Sequence, residues 1–147
     1  MTAKKNTIDF QIRWAWHSIS RLYNESAKKH QATTSTAMAI LNIEKEGILS
    51  TRLGPKMGME SRSLTRTLKS MLDSGLIRKK TDQKDRRKVL LFLTKKGIDL
   101  RKIASENVKT FNERVFQKVS EQELESFHKV MQAVNETVEE LKYEKNT

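Results

Sequence analysis

Ser61-Arg62-Ser63-Leu64-Thr65-Arg66-Thr67-Leu68-Lys69-Ser70-Met71-Leu72-Asp73-Ser74-Gly75-Leu76-Ile77-Arg78-Lys79-Lys80-Thr81-Asp82-Gln83-Lys84-Asp85-Arg86-Arg87-Lys88-Val89-Leu90-Leu91-Phe92-Leu93-Thr94-Lys95-Lys96-Gly97 is the stretch that decides the fold. Its pattern predicts a helix over 61–74, a stop at Gly75, a strand over 76–81, a charged turn over 82–87 and a second strand over 88–94. Leu64, Leu68, Met71 and Leu72 fall at i, i+4, i+7 and i+8 as one apolar stripe, while Arg62, Arg66 and Lys69 line the opposite face. One side of this helix is built to be buried and the other to meet negative charge. The hairpin carries Arg78, Lys79, Lys80, Lys84, Arg86, Arg87 and Lys88 against Asp82 and Asp85 alone. A cationic finger therefore follows a cationic helix.

Helix plus finger outlines a winged helix-turn-helix. Asp82-Gln83-Lys84-Asp85-Arg86-Arg87, continuing through Leu93-Thr94 to Gly97, resembles the D-x-x-D-R-R-x-x-x-x-x-L-T-x-x-G wing signature of the MarR family of bacterial transcription regulators. Ser61 to Arg66 and Leu72 to Arg78 resemble that family's recognition helix and its exit into the wing. The wing motif is specific, whereas the helix motif alone would not be. The resemblance implies a mainly α fold: a winged helix-turn-helix with a small β-hairpin wing and long N- and C-terminal dimerisation helices. It implies a single domain over 1–147, with the DNA-binding portion near 34–97 and dimerisation helices near 6–30 and 98–142.

Composition narrows the partner. The 147-residue chain has a formal net charge of +11 and 32% charged residues, which argues for an anionic partner rather than for any fold. Residues 50–97 hold fourteen Lys and Arg against four acids, a net +10, whereas residues 121–147 hold three against seven, a net −4. Nearly all the surplus sits in the winged-helix segment. With no cysteine, thiol-based sensing, disulfides and thiolate metal sites are excluded. Met1 to Asn6 is not followed by an apolar signal core, and the aliphatic run Val89 to Leu93 is too short to span a bilayer, so a cytoplasmic protein without membrane contact is expected.

All five glycines and the single proline, Pro55, lie between residues 47 and 97, so long helices should flank a turn-rich middle. Asn6 with Asp9 reads as a helix start, and Ile12, Trp16, Ile19 and Tyr23 recur at helical spacing to about Lys29. A second helix is expected over 34–46, stopped by Gly47. Ile48-Leu49 reads as extended, and Ser50 as the cap of a brief positioning helix that ends at Gly58. Pro55 within it lacks an N–H, which predicts an element that is short, distorted or partly 3-10. Thr94 is the expected cap of a helix over 95–118, with Gly97 in the first turn where its flexibility costs least. Ser120 and Glu123 form a capping box, after which Leu124, Phe127, Met131, Val134, Val138 and Leu141 make a heptad seam. That seam could serve as core in a monomer, but a winged-helix unit leaves it unpartnered, and pairing across a two-fold axis satisfies it.

The candidate contacts follow. Arg62 and Arg66 carry the planar donor fork that matches guanine O6 and N7, Ser61, Ser63 and Thr65 reach bases or phosphates from the helix N-terminus, and Lys69 suits a phosphate. In the wing, Lys84 and Arg86 would touch the backbone and Arg87 would enter the minor groove. The resemblance makes Asp85 the wing-orienting residue, through an ion pair that holds Arg87 extended. Partners are then a double-stranded DNA operator, a second copy of the chain and, by the resemblance, a small aromatic or anionic effector. Trp14, Trp16, His17, Tyr23 and Met38 suggest an aromatic lining, and of these Trp14, His17, Tyr23 and Met38 are the effector candidates, though each reads first as a core or interface residue. His17, His30 and His128 have no pairing spacing, and no phosphate loop or nucleophile motif is visible, so neither metal, cofactor nor catalysis is implied. The resemblance implies a ligand-responsive repressor that acts as a homodimer on a pseudo-palindromic operator; the alternative is a winged-helix module docking on protein or RNA in a structural assembly.

Overall fold

Residues 7–145 are described by a computed structural model. In chain order the elements are α1 (Ile8–Lys28), α2 (Thr34–Asn42), β1 (Ile48–Leu49), α3 (Ser50–Met57), α4 (Ser61–Asp73), β2 (Ile77–Thr81), β3 (Val89–Leu93), α5 (Lys95–Phe116) and α6 (Glu121–Lys145). The mainly helical fold with a small wing is as expected. The strands form one antiparallel sheet in the order β1-β3-β2, with Ile77 opposite Leu93, Lys79 opposite Leu91 and Ile48 opposite Leu91 on the other edge. The chain divides into two compact units, one up to Asn107 and the other from Val108.

The first unit is organised by the α4 stripe. Met71 is fully buried and Leu64 nearly so, alongside Ile40, Ile43 and Leu53, and Leu68 and Leu72 pack at the edge of this core. Each large side chain removed from water here contributes about 1.5–3 kcal/mol. Leu76, Ile77 and Leu91 carry the core onto the sheet, and Leu100 carries it onto α5.

At the N-terminal end of α1, Asn6 lies outside the described residues, and Thr7 holds the cap position without a side-chain cap bond. Gln31, a non-glycine residue at φ 55, turns the chain after α1. The α1–α2 junction is a polar lock: Asn24 Oδ1 accepts from the Thr34 amide at 2.9 Å and from its hydroxyl at 2.7 Å. Thr33 then caps α2, accepting from the Thr36 amide at 3.1 Å.

The end of α2 differs most from the expectation. Helix α2 ends at Asn42 rather than at residue 46, because Ile43 turns extended to bury its side chain and its carbonyl accepts from Arg101 Nη1 at 2.6 Å. Gly47, at φ 86, closes a separate turn on Glu44 instead of capping the helix. Helix α3 stays α-helical through Pro55. Gly54 before the proline has no Cβ to clash with the ring, and only one intrahelical donor is lost.

In the second unit, Ser120 and Glu123 form the expected reciprocal box: the Ser120 amide donates to Glu123 Oε2 at 2.7 Å and the Glu123 amide to Ser120 Oγ at 3.2 Å. No described residue of α6 is buried. Leu124, Met131 and Val134 are half-exposed, and Phe127, Val138 and Leu141 are about half uncovered or more, at 56%, 46% and 51%. The heptad seam thus lies open in a single chain.

Candidate nucleic-acid interface

The helix-turn-helix is built around one contact. Gly54 on α3 sits against α4 so closely that an added Cβ would lie 3.2 Å from Leu64 Cδ2. Gly58, at φ 63, reverses the chain, and the Gly58 and Met59 amides fold back onto the carbonyls of Pro55 and Gly54 at 3.2 and 3.0 Å. Leu64 is thereby pinned under α3, and the opposite side of α4 faces outward. Ser61, Arg62, Ser63, Thr65, Arg66 and Lys69 are all exposed there. The Thr65 hydroxyl donates back to the Ser61 carbonyl at 2.8 Å, which leaves its oxygen as an acceptor towards a partner.

At the hairpin tip the decisive acid is Asp82, which sequence reasoning passed over. Its Oδ1 accepts from the Lys84 amide at 2.7 Å and the Asp85 amide at 3.1 Å, an Asx turn that folds the tip. Those amides, assisted by the ammonium groups of Lys88 and Lys80, hold the Asp82 carboxyl below the usual carboxylate range. Asp85 in turn accepts from the Arg87 amide at 3.0 Å. The ion pair expected between Asp85 and the Arg87 guanidinium is absent: among the described residues the ion pairs are Lys56–Glu44, Lys109–Glu113 and Lys142–Glu139. Asp85 orients the backbone of Arg87 instead, and Lys84, Arg86 and Arg87 are all exposed.

Sequence reasoning also missed Arg78 as an ordered cation. Its guanidinium stacks over the Phe92 ring at 4.6 Å, a cation–π contact across the β2–β3 register. Phe92 itself lies over Gly47, where a Cβ would come within 2.7 Å of the ring. The signal available in sequence was the aromatic Phe92 in an otherwise aliphatic strand.

The proposed effector residues do not gather in one place. Met38 lines a groove of about 560 Å³ formed by α1, α2 and α4, together with Trp16, Asn24, Thr36 and Arg66. Trp14, His17 and Tyr23 are not among its lining residues; Trp14 stacks on Phe10 at 6.0 Å and is 63% exposed. Tyr23 is half-buried, and that burial raises its phenol above the ordinary value.

An exposed cationic helix beside a folded cationic hairpin is the geometry that the wing signature requires, and residues 36–89 match the sequence model of the MarR family. That segment, which holds the helix-turn-helix and most of the wing, is similar to the MarR family of transcriptional regulators. The whole chain is 32% identical over 93 residues to the HTH-type transcriptional regulator TtmR of Methylorubrum extorquens (strain PA1), a match covering 63% of this chain and 48% of that one. The chain thus spans about half the length of that relative. Its fold is similar to that of MepR from S. aureus in a DNA complex, with a TM-score of 0.81, 15% identity and coverage of 89% and 98% of the two chains. It is also similar to that of CouR from Rhodococcus jostii RHA1 bound to p-coumaroyl-CoA, with a TM-score of 0.76, 18% identity and coverage of 91% and 95%. At these identities the likeness is one of fold. The relatives the chain matches are named as transcriptional regulators, a non-enzymatic family, and among the described residues no helix is long and apolar enough to cross a membrane.

Proposed function

We propose that this chain binds double-stranded DNA sequence-specifically as a homodimer on a pseudo-palindromic operator, and acts in the cytoplasm as a repressor released by a small aromatic or anionic ligand. The observation that carries the reading is the shared exposure of Arg62, Arg66 and Lys69 on α4 and of Lys84, Arg86 and Arg87 on the wing. In this reading α4 enters the major groove, where Arg62 and Arg66 pair with guanine edges and Ser61, Ser63, Thr65 and Lys69 engage bases or phosphates. The wing reaches the adjacent minor groove with Arg87, its backbone fixed by Asp85, while Lys84 and Arg86 hold the sugar-phosphate chain.

The residues near 34–97 serve as the DNA-binding portion, and the helices near 6–30 and 98–142 as dimerisation helices. The exposed apolar residues of α1 and α6, among them Trp14, Leu22, Phe127 and Leu141, support the dimer, since a second chain would cover them. Two-fold symmetry then sets half-sites about one turn, ~10 bp, apart. The groove containing Trp16, Met38 and Arg66 supports ligand control: an aromatic anion lodged there would favour one geometry of α4 over another. CouR bound to p-coumaroyl-CoA is a solved structure of similar fold that supports such a ligand.

Selection of bound fragments from a random duplex library with the purified chain tests the reading. A short pseudo-palindromic sequence is expected. Equal retention of all duplexes, or preference for RNA, would instead favour a structural docking module.

A further inference from the structure

Where α4 leaves for the wing, three consecutive backbone carbonyls meet the start of α5. The Ser74 carbonyl accepts from Lys96 Nζ at 2.9 Å. The Gly75 carbonyl accepts from the Thr94 hydroxyl at 2.6 Å. The Leu76 carbonyl accepts from the Thr94 amide at 3.1 Å, with the hydroxyl also at 3.2 Å. Thr94 Oγ1 in turn accepts from the Gly97 amide at 3.1 Å, which caps α5.

Gly97 completes the joint by its missing side chain. A Cβ there would collide with the Leu76 carbonyl oxygen and press on Leu93 Cδ2. Gly97 is buried, so the collision cannot be relieved towards solvent. Its place in the helix is therefore set by contact and not by chain flexibility. The last carbonyls of α4 itself are closed by its own C-cap, that of Met71 accepting from the Leu76 amide at 2.9 Å and that of Leu72 from the Gly75 amide at 3.1 Å. The next three, at Ser74, Gly75 and Leu76, are taken by Thr94 and Lys96 at the start of α5, one of them by an ammonium group.

We propose that Thr94, Lys96 and Gly97 are positioning residues for operator recognition. They join the exit of the recognition helix to the first turn of α5, so that α4 takes its presentation angle from α5 and the two turn as one body. None of the three needs to touch DNA. This rests on the DNA-binding reading above. It also gives the L-T-x-x-G end of the wing signature a task separate from that of its acidic and basic start.

The test compares the full-length wild type with Gly97→Ala, Thr94→Val, Thr94→Ser and Lys96→Met. Each is titrated by fluorescence anisotropy against the selected operator and against duplexes whose half-sites are moved one base pair closer or further apart. Gly97→Ala and Thr94→Val should lose about tenfold on the selected operator and lose or invert the preference among spacings, because α4 is held at a different angle. Thr94→Ser, which keeps the hydroxyl, should restore the wild-type preference. Lys96→Met should weaken it less. A loss that is equal for every spacing would mean a smaller folded fraction and would overturn the proposal, as would unchanged binding by all four variants. If the wild type itself selects no duplex, the DNA-binding reading falls and takes this inference with it; wild-type selection with unaltered variants sinks this inference alone.

Discussion

The Asp85 carboxylate accepts the Arg87 backbone amide at 3.0 Å, so the acid fixes where the Arg87 side chain starts without holding its guanidinium. A carboxylate beside a DNA-facing arginine is unfavourable by charge alone; as a backbone acceptor it costs the arginine none of its donors. Arg87→Ala should weaken operator binding by ~1–3 kcal/mol and change stability by less than about 0.5 kcal/mol. Asp85→Ala should lose affinity through disorder of the tip, and Asp85→Asn, which keeps an acceptor oxygen, should lose less. Anisotropy titrations with melting curves check both, and wild-type affinity in Arg87→Ala would remove the wing tip from recognition.

Arg66 and Lys69 are both exposed on α4 but should fail differently. Replacing Arg66 by Ala should cost ~1–3 kcal/mol of discrimination between operator and random duplex, since a lost guanine fork matters only at its base. Replacing Lys69 by Ala should weaken both alike and flatten the salt dependence by about one ion. Equal losses on both duplexes for Arg66→Ala would reassign it to the phosphates.

On the buried side of the same helix, Met71 is 0% exposed. Met71→Ala should destabilise the fold by about 2–5 kcal/mol through lost transfer energy and the cavity left behind. Urea unfolding measures it, with Lys69→Ala as the neutral surface control. A cost below 1 kcal/mol would show that the core under α4 collapses around the gap.

The tip has a predictable acid limit. Asp82 is held below the usual carboxylate range, first by the amides of Lys84 and Asp85 and then by Lys88 and Lys80. A depressed folded value means that its contribution is complete above the unfolded carboxylate pKa, about 3.9, and is lost as pH falls through the lower folded value. Backbone NMR should find the Lys84 and Asp85 amide shifts constant from neutral pH to about 4 and moving together below it. Asp82→Asn should abolish that shared titration. Movement near neutral pH would contradict the assignment.

Local pattern carried most of what was legible beforehand. The α4 stripe, the cationic face, the Thr94 cap, the Ser120–Glu123 box and the wing strands all follow from spacings within a few residues, where one periodicity or one cap decides. Long-range partners decided the rest. Helix α2 stops early because Arg101, 58 positions on, takes the Ile43 carbonyl. Gly97 read as a flexible first-turn residue, yet its requirement comes from the Leu76 carbonyl pressed against it. In the wing the bonding differs from the expectation: Asp82, not a side-chain ion pair, folds the tip. The aromatic residues of α1 looked like one lining in sequence, but Trp14 and Trp16, two positions apart on a helix, point about 200° apart, and Trp16 is the one lining the groove.

The central claim is that two copies of this chain hold their cationic helices and wings at a fixed separation on one duplex. Native mass spectrometry of the full chain on its selected operator tests it most directly. Two chains per duplex, with binding lost when either half-site is scrambled, is the result expected. A single chain per duplex that keeps full affinity with one half-site scrambled would contradict it.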